Sequence, residues 1–168
     1  MNELRIGLGV DAHALADGVP LVLGGVAIES PRGLAGHSDG DVLAHALIDA
    51  LLGGAGLGDI GTLFPAGDRE WEGASSLELL RLAATQVREA GWELVNADCV
   101  LIGEEPRIAP LRGQMRARLA DAVGVDADRV NVRATTTDKL GFTGRSEGLA
   151  AHAVALVRQG GDSVRNAD

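Results

Sequence analysis

The sequence predicts an α/β layer domain. Segments with strand-like alternation take turns with segments of helical spacing along the whole chain. The 24 glycines are dispersed, with no internal repeat and no long linker, which points to many tight turns within one domain of 168 residues. The chain is 46% hydrophobic but only 2% aromatic, with no tyrosine, so it can bury a core of Ala, Leu, Val and Ile without staples.

The elements follow in order. Leu4 to His13 alternates apolar and small residues and reads as a strand. Pro20 to Ile28 reads as a second strand, or as a hairpin around Gly24-Gly25. Asp41 to Leu52 carries apolar residues at helical spacing and is expected to stop at Gly53-Gly54. Ser75 to Ala90 is the clearest helix: Ser75 and Glu78 form a capping-box pattern, Leu77, Leu80 and Ala84 share a stripe, and Gly91 ends it. Trp92 to Ile102 is a strand, and Pro110 to Val123 a helix with proline in its first turn and Gly124 after it. Val130 to Thr137 is a further strand. The Ala-rich run Leu149 to Val157 fits either helix or buried strand. Residues 1–159 form the domain, and residues 160–168 are expected to be a flexible tail.

Composition excludes several classes of function. A net charge of −9 repels nucleic acid and anionic membranes, and the scarcity of aromatic rings removes stacking platforms for single strands. No run approaches the roughly 18 apolar residues of a membrane span, and Met1 to Arg5 does not open a signal peptide. Cys99 is the sole cysteine, so an intrachain disulfide and a thiolate metal cluster are both impossible, in keeping with a reducing cytoplasm.

Three places collect polar residues that a core does not need. Asp11-Ala12-His13 ends a predicted strand, where residues two apart share a face. His37-Ser38-Asp39-Gly40-Asp41 runs into a helix with His45 about one turn inside, and Asp49 four residues on. Asp11, His13 and His45 thus make a two-histidine, one-carboxylate set that suits zinc with a fourth position open, and Asp49 is the candidate to orient His45. Taken singly, Asp-x-His is a common pattern and His45 fits an ordinary buried helix histidine. The third place is Ala134 to Arg145, where three consecutive threonines (135–137), Asp138, the only lysine (Lys139) and Arg145 follow a strand. Hydroxyls, backbone N–H groups and cations hold phosphate oxygens; the competing reading is a Thr-rich strand edge with a glycine turn. Gly58-Asp59-Ile60-Gly61 to Pro65 is a fourth polar stretch, or a plain turn anchored by Phe64. Composition and spacing leave open whether such a site hydrolyses, transfers or only binds.

These blocks together, with Arg5-Ile6-Gly7, resemble the 2-C-methyl-D-erythritol 2,4-cyclodiphosphate synthase family, in the family's order, from Leu4 to Val157. The resemblance implies a single-domain subunit with helices on one side of a mixed sheet. It further implies a cytoplasmic homotrimer with active sites between subunits. The implied reaction closes a cyclic diphosphate by attack of a 2-phosphate on the β-phosphate of a cytidine diphosphate substrate, expelling CMP. Asp11, His13 and His45 match the family's zinc ligands. Asp138 stands where glutamate usually holds a second ion, magnesium or manganese. His37 and Thr136 match catalytic positions; Ser38, Thr135, Thr137 and Lys139 lie at the phosphates. Asp59 and Gly61 match ribose or erythritol contacts, Phe64 and Asp68 a substrate loop, and Gly103, Pro106, Arg107 and Ile108 the cytosine pocket. Phe142 and Arg145 match a ligand-lining position and an anion site near the trimer axis. Leu8, Val10 and Ala66 depart from the family's usual His, aromatic residue and Asp. Two other readings of the same residues are a zinc phosphohydrolase and a non-catalytic nucleotide-binding trimer.

Overall fold

The computed structural model describes residues 3–160; the expected tail lies, from residue 161 on, outside the described residues. Strand β1 (Leu4–Asp17) runs four residues past the expected end because it pairs there with β4 (Arg32–Leu34), a short strand that the sequence pattern does not announce. The stretch after Pro20 resolves as the hairpin, β2 (Leu21–Leu23) and β3 (Val26–Ile28), turning through Gly24 and Gly25 at φ 56° and 72°. Two consecutive left-handed residues match the twist of a two-residue hairpin, and glycine takes them without steric cost.

Helix α1 (Val42–Ala55) does not stop at Gly53-Gly54 but runs through both to a left-handed cap at Gly56. Gly54 is there for close approach: a Cβ on it would sit 3.2 Å from the Gly7 nitrogen of β1. The fully buried Asp41 caps α1, accepting N–H bonds from Leu43 and Ala44 and from Gly24 and Gly25 of the hairpin. Burial pushes its carboxyl up to about 6 despite those donors.

A short turn, α2 (Ile60–Leu63), leads to α3 (Ser76–Glu89), whose buried residues Leu79, Leu80, Ala83, Ala84 and Val87 face the core. The expected capping box does not form, since the Ser75 side chain makes no cap bond; Asp39, from a distant loop, accepts the Ser76 N–H at 3.1 Å instead. Strand β5 (Trp92–Ile102) has the expected bounds. Pro110 falls in a 3₁₀ turn (Ala109–Leu111) ahead of α4 (Arg112–Val123), which Gly124 ends in the left-handed region. Strand β6 (Val130–Thr135) ends two residues short of Thr137, because the chain turns left-handed at Asp138 and Lys139. After α5 (Gly141–Gly144), the ambiguous Ala-rich run is strand β7 (Gly148–Gln159).

The sheet order is β4-β1-β7-β5-β6, antiparallel except for the β5–β6 pair, so the sheet is mixed. β7 lies at its centre, and its buried Ala151, Ala153 and Ala155 let α1 lie close across β1 and β7. Helix α3 packs beside α1, and α4 beside α3 and against β6, all on one side. The other face is open; it is apolar along β1, where Ile6, Leu8 and Val10 are 74, 63 and 51% exposed beside Val154 at 44%, and polar along β5 and β6, where Asp98 pairs with Arg133.

Candidate metal centre

The centre exists because α1 touches β1 almost without side chains between them. A Cβ on Gly7 would lie 1.8 Å from the Ala50 carbonyl oxygen, and one on Gly9 1.8 Å from that of Ala46. The next residues on the helix-facing side of β1 are Asp11 and His13, and the residue before Ala46 is His45. Their ligand atoms therefore converge. His13 Nε2 and His45 Nδ1 stand 2.9 and 3.0 Å from Asp11 Oδ2 and 3.2 Å from each other. Among the described residues this is the one cluster of three or more such groups placed to share an ion.

The remaining ring nitrogens settle what these atoms offer. His13 Nδ1 lies 2.6 Å from the Ala35 carbonyl oxygen, which only accepts, so this nitrogen carries the proton and Nε2 presents a lone pair. His45 Nε2 lies 2.9 Å from both Ser38 Oγ and Ser76 Oγ. The Ser76 hydroxyl donates in turn to Asp39, so it accepts from His45 Nε2–H and leaves the Nδ1 lone pair facing Asp11. Two lone pairs and a carboxylate oxygen aimed at one point repel unless a proton or a cation lies among them. Burial opposes ionisation of Asp11, but whenever a proton sits on the facing nitrogens of His13 and His45 their hydrogen bonds to the carboxylate prevail and hold it well below the usual range. The same Asp11 contact raises His13 above an ordinary imidazole. The donor set fits a divalent cation such as zinc, with both imidazoles braced from behind.

Ser38 and Ser76 are thus partners of the ligand histidine. Asp49 is not: its carboxylate accepts the Ile60 N–H at 2.7 Å and braces the α2 turn, so the expected role of orienting His45 is corrected. Spacing of four placed Asp49 on the right side of the helix, but the imidazole points toward the serines. Ser76 and Asp39 were missed because a serine at the start of a helix signals only a cap.

A cleft of about 400 Å³ opens over the centre. His37, Ser38, Gly61, Phe64 and Asp68 line it with Ile60, Pro65 and Trp71. Asp59 caps α2 at its rim, accepting both the N–H and the hydroxyl of Thr62 at 2.8 Å. A larger hollow, about 550 Å³ around Trp92, Arg88 and Arg129, holds none of these residues.

The other candidates gather elsewhere on the same sheet edge. β1, β5 and β6 run in one direction, and His13, Leu149, Ala150, Ile102 and Thr135 follow one another across the ladder. Thr135 is therefore three strands from the metal centre, about 14 Å at ~4.8 Å per strand. Thr136 and Asp138 are exposed, with Thr136 Oγ1 3.4 Å from the Asp138 carboxylate. The Thr137 hydroxyl is engaged inside the loop, 2.6 Å from the Leu140 carbonyl oxygen and 2.9 Å from Thr143 Oγ1. Gly103, Pro106 and Arg107 lie beside this loop at the end of β5, while Ile108 is buried in the core. Phe142 is exposed, and Arg145 pairs with Glu147 at 2.9 Å.

One-sided helices on a mixed sheet, with two imidazoles and a carboxylate under a largely apolar cleft, define an α/β subunit built around a metal centre. The chain belongs to the YgbB family, whose model matches residues 4–158. It is 57% identical over 162 residues to the 2-C-methyl-D-erythritol 2,4-cyclodiphosphate synthase of Rubrobacter xylanophilus, covering 95% of this chain and 98% of that one. To the synthase of the same name from Thiobacillus denitrificans it is 52% identical, covering 95% and 100%. Among solved structures, the bifunctional IspDF of Campylobacter jejuni superposes with a TM-score of 0.91 at 45% identity, over 95% of this chain. The chain spans 43% of that longer protein. The Plasmodium falciparum IspF in its CDP complex gives 0.82 at 30% identity, covering 96% and 99%.

Proposed function

We propose that this chain converts 4-diphosphocytidyl-2-C-methyl-D-erythritol 2-phosphate to 2-C-methyl-D-erythritol 2,4-cyclodiphosphate in the non-mevalonate route to isoprenoids. An oxygen of the 2-phosphate bonds to the β-phosphorus, the bridge to the α-phosphorus breaks, and CMP leaves with the bridging oxygen. The single observation that carries this reading is the convergence of Asp11, His13 and His45 on one point, in a chain so similar to synthases of that name.

Zinc on the triad, and a magnesium or manganese ion at Asp138, supply Lewis-acid charge to the diphosphate oxygens when bound. The chain's own groups position and exclude. His37 and Ser38 meet phosphate at the cleft mouth. Asp59 and Gly61 hold sugar hydroxyls, and Phe64 and Asp68 line the erythritol. The apolar walls keep out water that would hydrolyse the diphosphate. Thr136 offers its hydroxyl to the reacting phosphates, with Thr135, Thr137 and Lys139 beside it. Gly103, Pro106 and Arg107 read cytosine, largely through backbone groups, with Ile108 packed behind them in the core. Phe142 and Arg145 face the subunit axis. Intramolecular attack makes positioning the chief contribution, an effect that reaches ~7–11 kcal/mol in well-oriented systems.

A homotrimer completes the site in this reading. Two features support it: the open apolar sheet face around Leu8 and Val10, and the three-strand gap between triad and Thr136, which a neighbour's loop closes more readily than the chain's own. Among the described residues no helix is long and apolar enough to cross a membrane. The cytoplasm is the proposed compartment, in keeping with the buried free thiol of Cys99.

With authentic substrate, zinc and magnesium, the protein is expected to release CMP and yield the cyclic product by phosphorus NMR. Free methylerythritol bisphosphate in its place would show hydrolysis and overturn the proposal. Thr136→Ala is expected to lower kcat about 100-fold while changing CDP affinity by less than about threefold, as for loss of one transition-state donor. Calorimetry and kinetics showing equal losses would rule out that role.

Metal retention should depend on pH with a definite sign. Both imidazoles must be neutral to ligate, and Asp11 makes His13 hold its proton more tightly than usual. Protons therefore begin to compete at a higher pH than for a free imidazole, while the Asp11 carboxyl stays ionised. Zinc affinity, measured against a competing chelator, is expected to be high at pH 8. It should fall as the pH drops, and the fall should set in above the range of a free imidazole because Asp11 raises His13. A flat profile between pH 8 and 5 would exclude histidine ligation.

A further inference from the structure

The loop that carries Thr136 and Asp138 is held in an uncommon conformation. Asp138 and Lys139 are consecutive non-glycine residues with φ of 50° and 68°, in the left-handed region that side chains disfavour. The turn is closed from within, by the Leu140 N–H donating to the Thr137 carbonyl oxygen at 3.0 Å and the Thr137 hydroxyl donating to the Leu140 carbonyl oxygen, but these bonds do not fix it to the sheet. Two bonds tie it to the end of β5. The Gly103 N–H donates to the Thr135 carbonyl oxygen at 3.0 Å. Beyond the turn, the Lys139 N–H donates to Glu104 Oε1 at 3.1 Å. Residues 136–138 lie between these two ties.

The Glu104 side chain is only 11% exposed, whereas that of Lys139 is 80% exposed, with Nζ 3.3 Å from Glu104 Oε2. The acid has thus been drawn under the loop, and the ammonium reaches back to it from solvent. The Lys139 N–H is the leading reason that the Glu104 carboxyl lies below its usual range. A surface ion pair alone would leave both groups in water and contribute little.

We infer that Glu104 is a positioning residue, which clamps the left-handed turn at Asp138–Lys139 onto the Gly103–Ile108 segment and so sets where the Thr136 hydroxyl and the Asp138 carboxylate stand. Its consequence for turnover rests on the reaction proposed above; the clamp itself does not. The nucleobase-reading segment and the phosphate loop then behave as one unit, and Glu104 touches neither the base nor the reacting atoms.

The test uses the full chain with Glu104→Ala, Glu104→Gln and, as a space-filling variant without an acceptor, Glu104→Met. Amide hydrogen exchange at Lys139 reads the clamp without any turnover. It is expected to quicken about tenfold or more in Glu104→Ala and Glu104→Met at unchanged melting temperature, and to stay near the parent in Glu104→Gln, whose amide oxygen still accepts the bond. Unchanged exchange in both acceptor-free variants would overturn the clamp. In the CMP-release assay, kcat is expected to fall about tenfold without the acceptor, with CDP affinity within about threefold and Glu104→Gln restoring most of the rate. Loosened exchange with undiminished kcat, or a glutamine variant as slow as alanine, would overturn the positioning role. A parent protein that releases no CMP would instead refute the proposed reaction, and the exchange data would still decide the clamp.

Discussion

His45→Ala is expected to abolish metal binding and, with it, CMP release, while leaving the subunit folded and its assembly intact. The imidazole supplies one of three ligand atoms, and the two that remain, on Asp11 and His13, both come from β1. Loss of a partner behind a ligand histidine typically costs 10–100-fold in affinity, so removal of the ligand itself should exceed about 100-fold. The fold should tolerate the change for identifiable reasons. Alanine is the better helix former, and the Asp41 cap one turn earlier is untouched. Zinc titration, the activity assay and sedimentation velocity check the three parts. Retained metal at parental affinity would mean that the three atoms converge for structural reasons alone, and only monomers in the centrifuge would mean that the metal centre holds the assembly together.

How far the sequence reveals such a centre depends on where each partner comes from. Asp11 and His13 are legible because a strand places alternate residues on one face, and His45 because helical spacing of apolar residues puts it about one turn inside a helix. Ser76 is not, since its partners Asp39 and His45 lie 37 and 31 residues away and no local pattern links them. Asp49 shows the converse. Helical spacing selects a side of α1 but not the group that a side chain meets there, and the Ile60 N–H claims it. The same ambiguity attends glycine. Gly24-Gly25 and Gly124 punctuate as expected, whereas Gly53-Gly54 lies inside α1, where Gly54 serves close packing against β1 and Gly53 faces open space. The sequence of β7 is ambiguous for a related reason: a central strand under a closely packed helix needs alanines, and alanine is also the best helix former.

Gly9→Ala and Gly53→Ala should therefore have opposite effects, although each adds only one methyl. At Gly53 the new carbon meets nothing within 4 Å, in the interior of α1. There the lost backbone entropy of glycine is recovered, and stability should rise by about 0.5–1 kcal/mol. At Gly9 the new carbon would stand 1.8 Å from the Ala46 carbonyl oxygen and 2.7 Å from the Ala50 nitrogen, both backbone atoms. No rotamer relieves that overlap, so α1 must lift from β1 along the line where Leu47, Ile48 and Leu51 are wholly buried. We expect a loss of about 3 kcal/mol or more, a fall in melting temperature of roughly 6–12 °C for a domain of this size. The metal centre gives the more specific readout. His45 precedes Ala46, so lifting α1 by an ångström carries the His45 imidazole away from Asp11 while Asp11 and His13 stay on the strand. Zinc affinity should then fall in Gly9→Ala even at temperatures where the protein remains folded, and should be unchanged in Gly53→Ala. Melting curves and zinc titrations at one fixed protein concentration test both halves. Parental zinc affinity in a folded Gly9→Ala protein would show that the centre does not depend on the bare contact between β1 and α1.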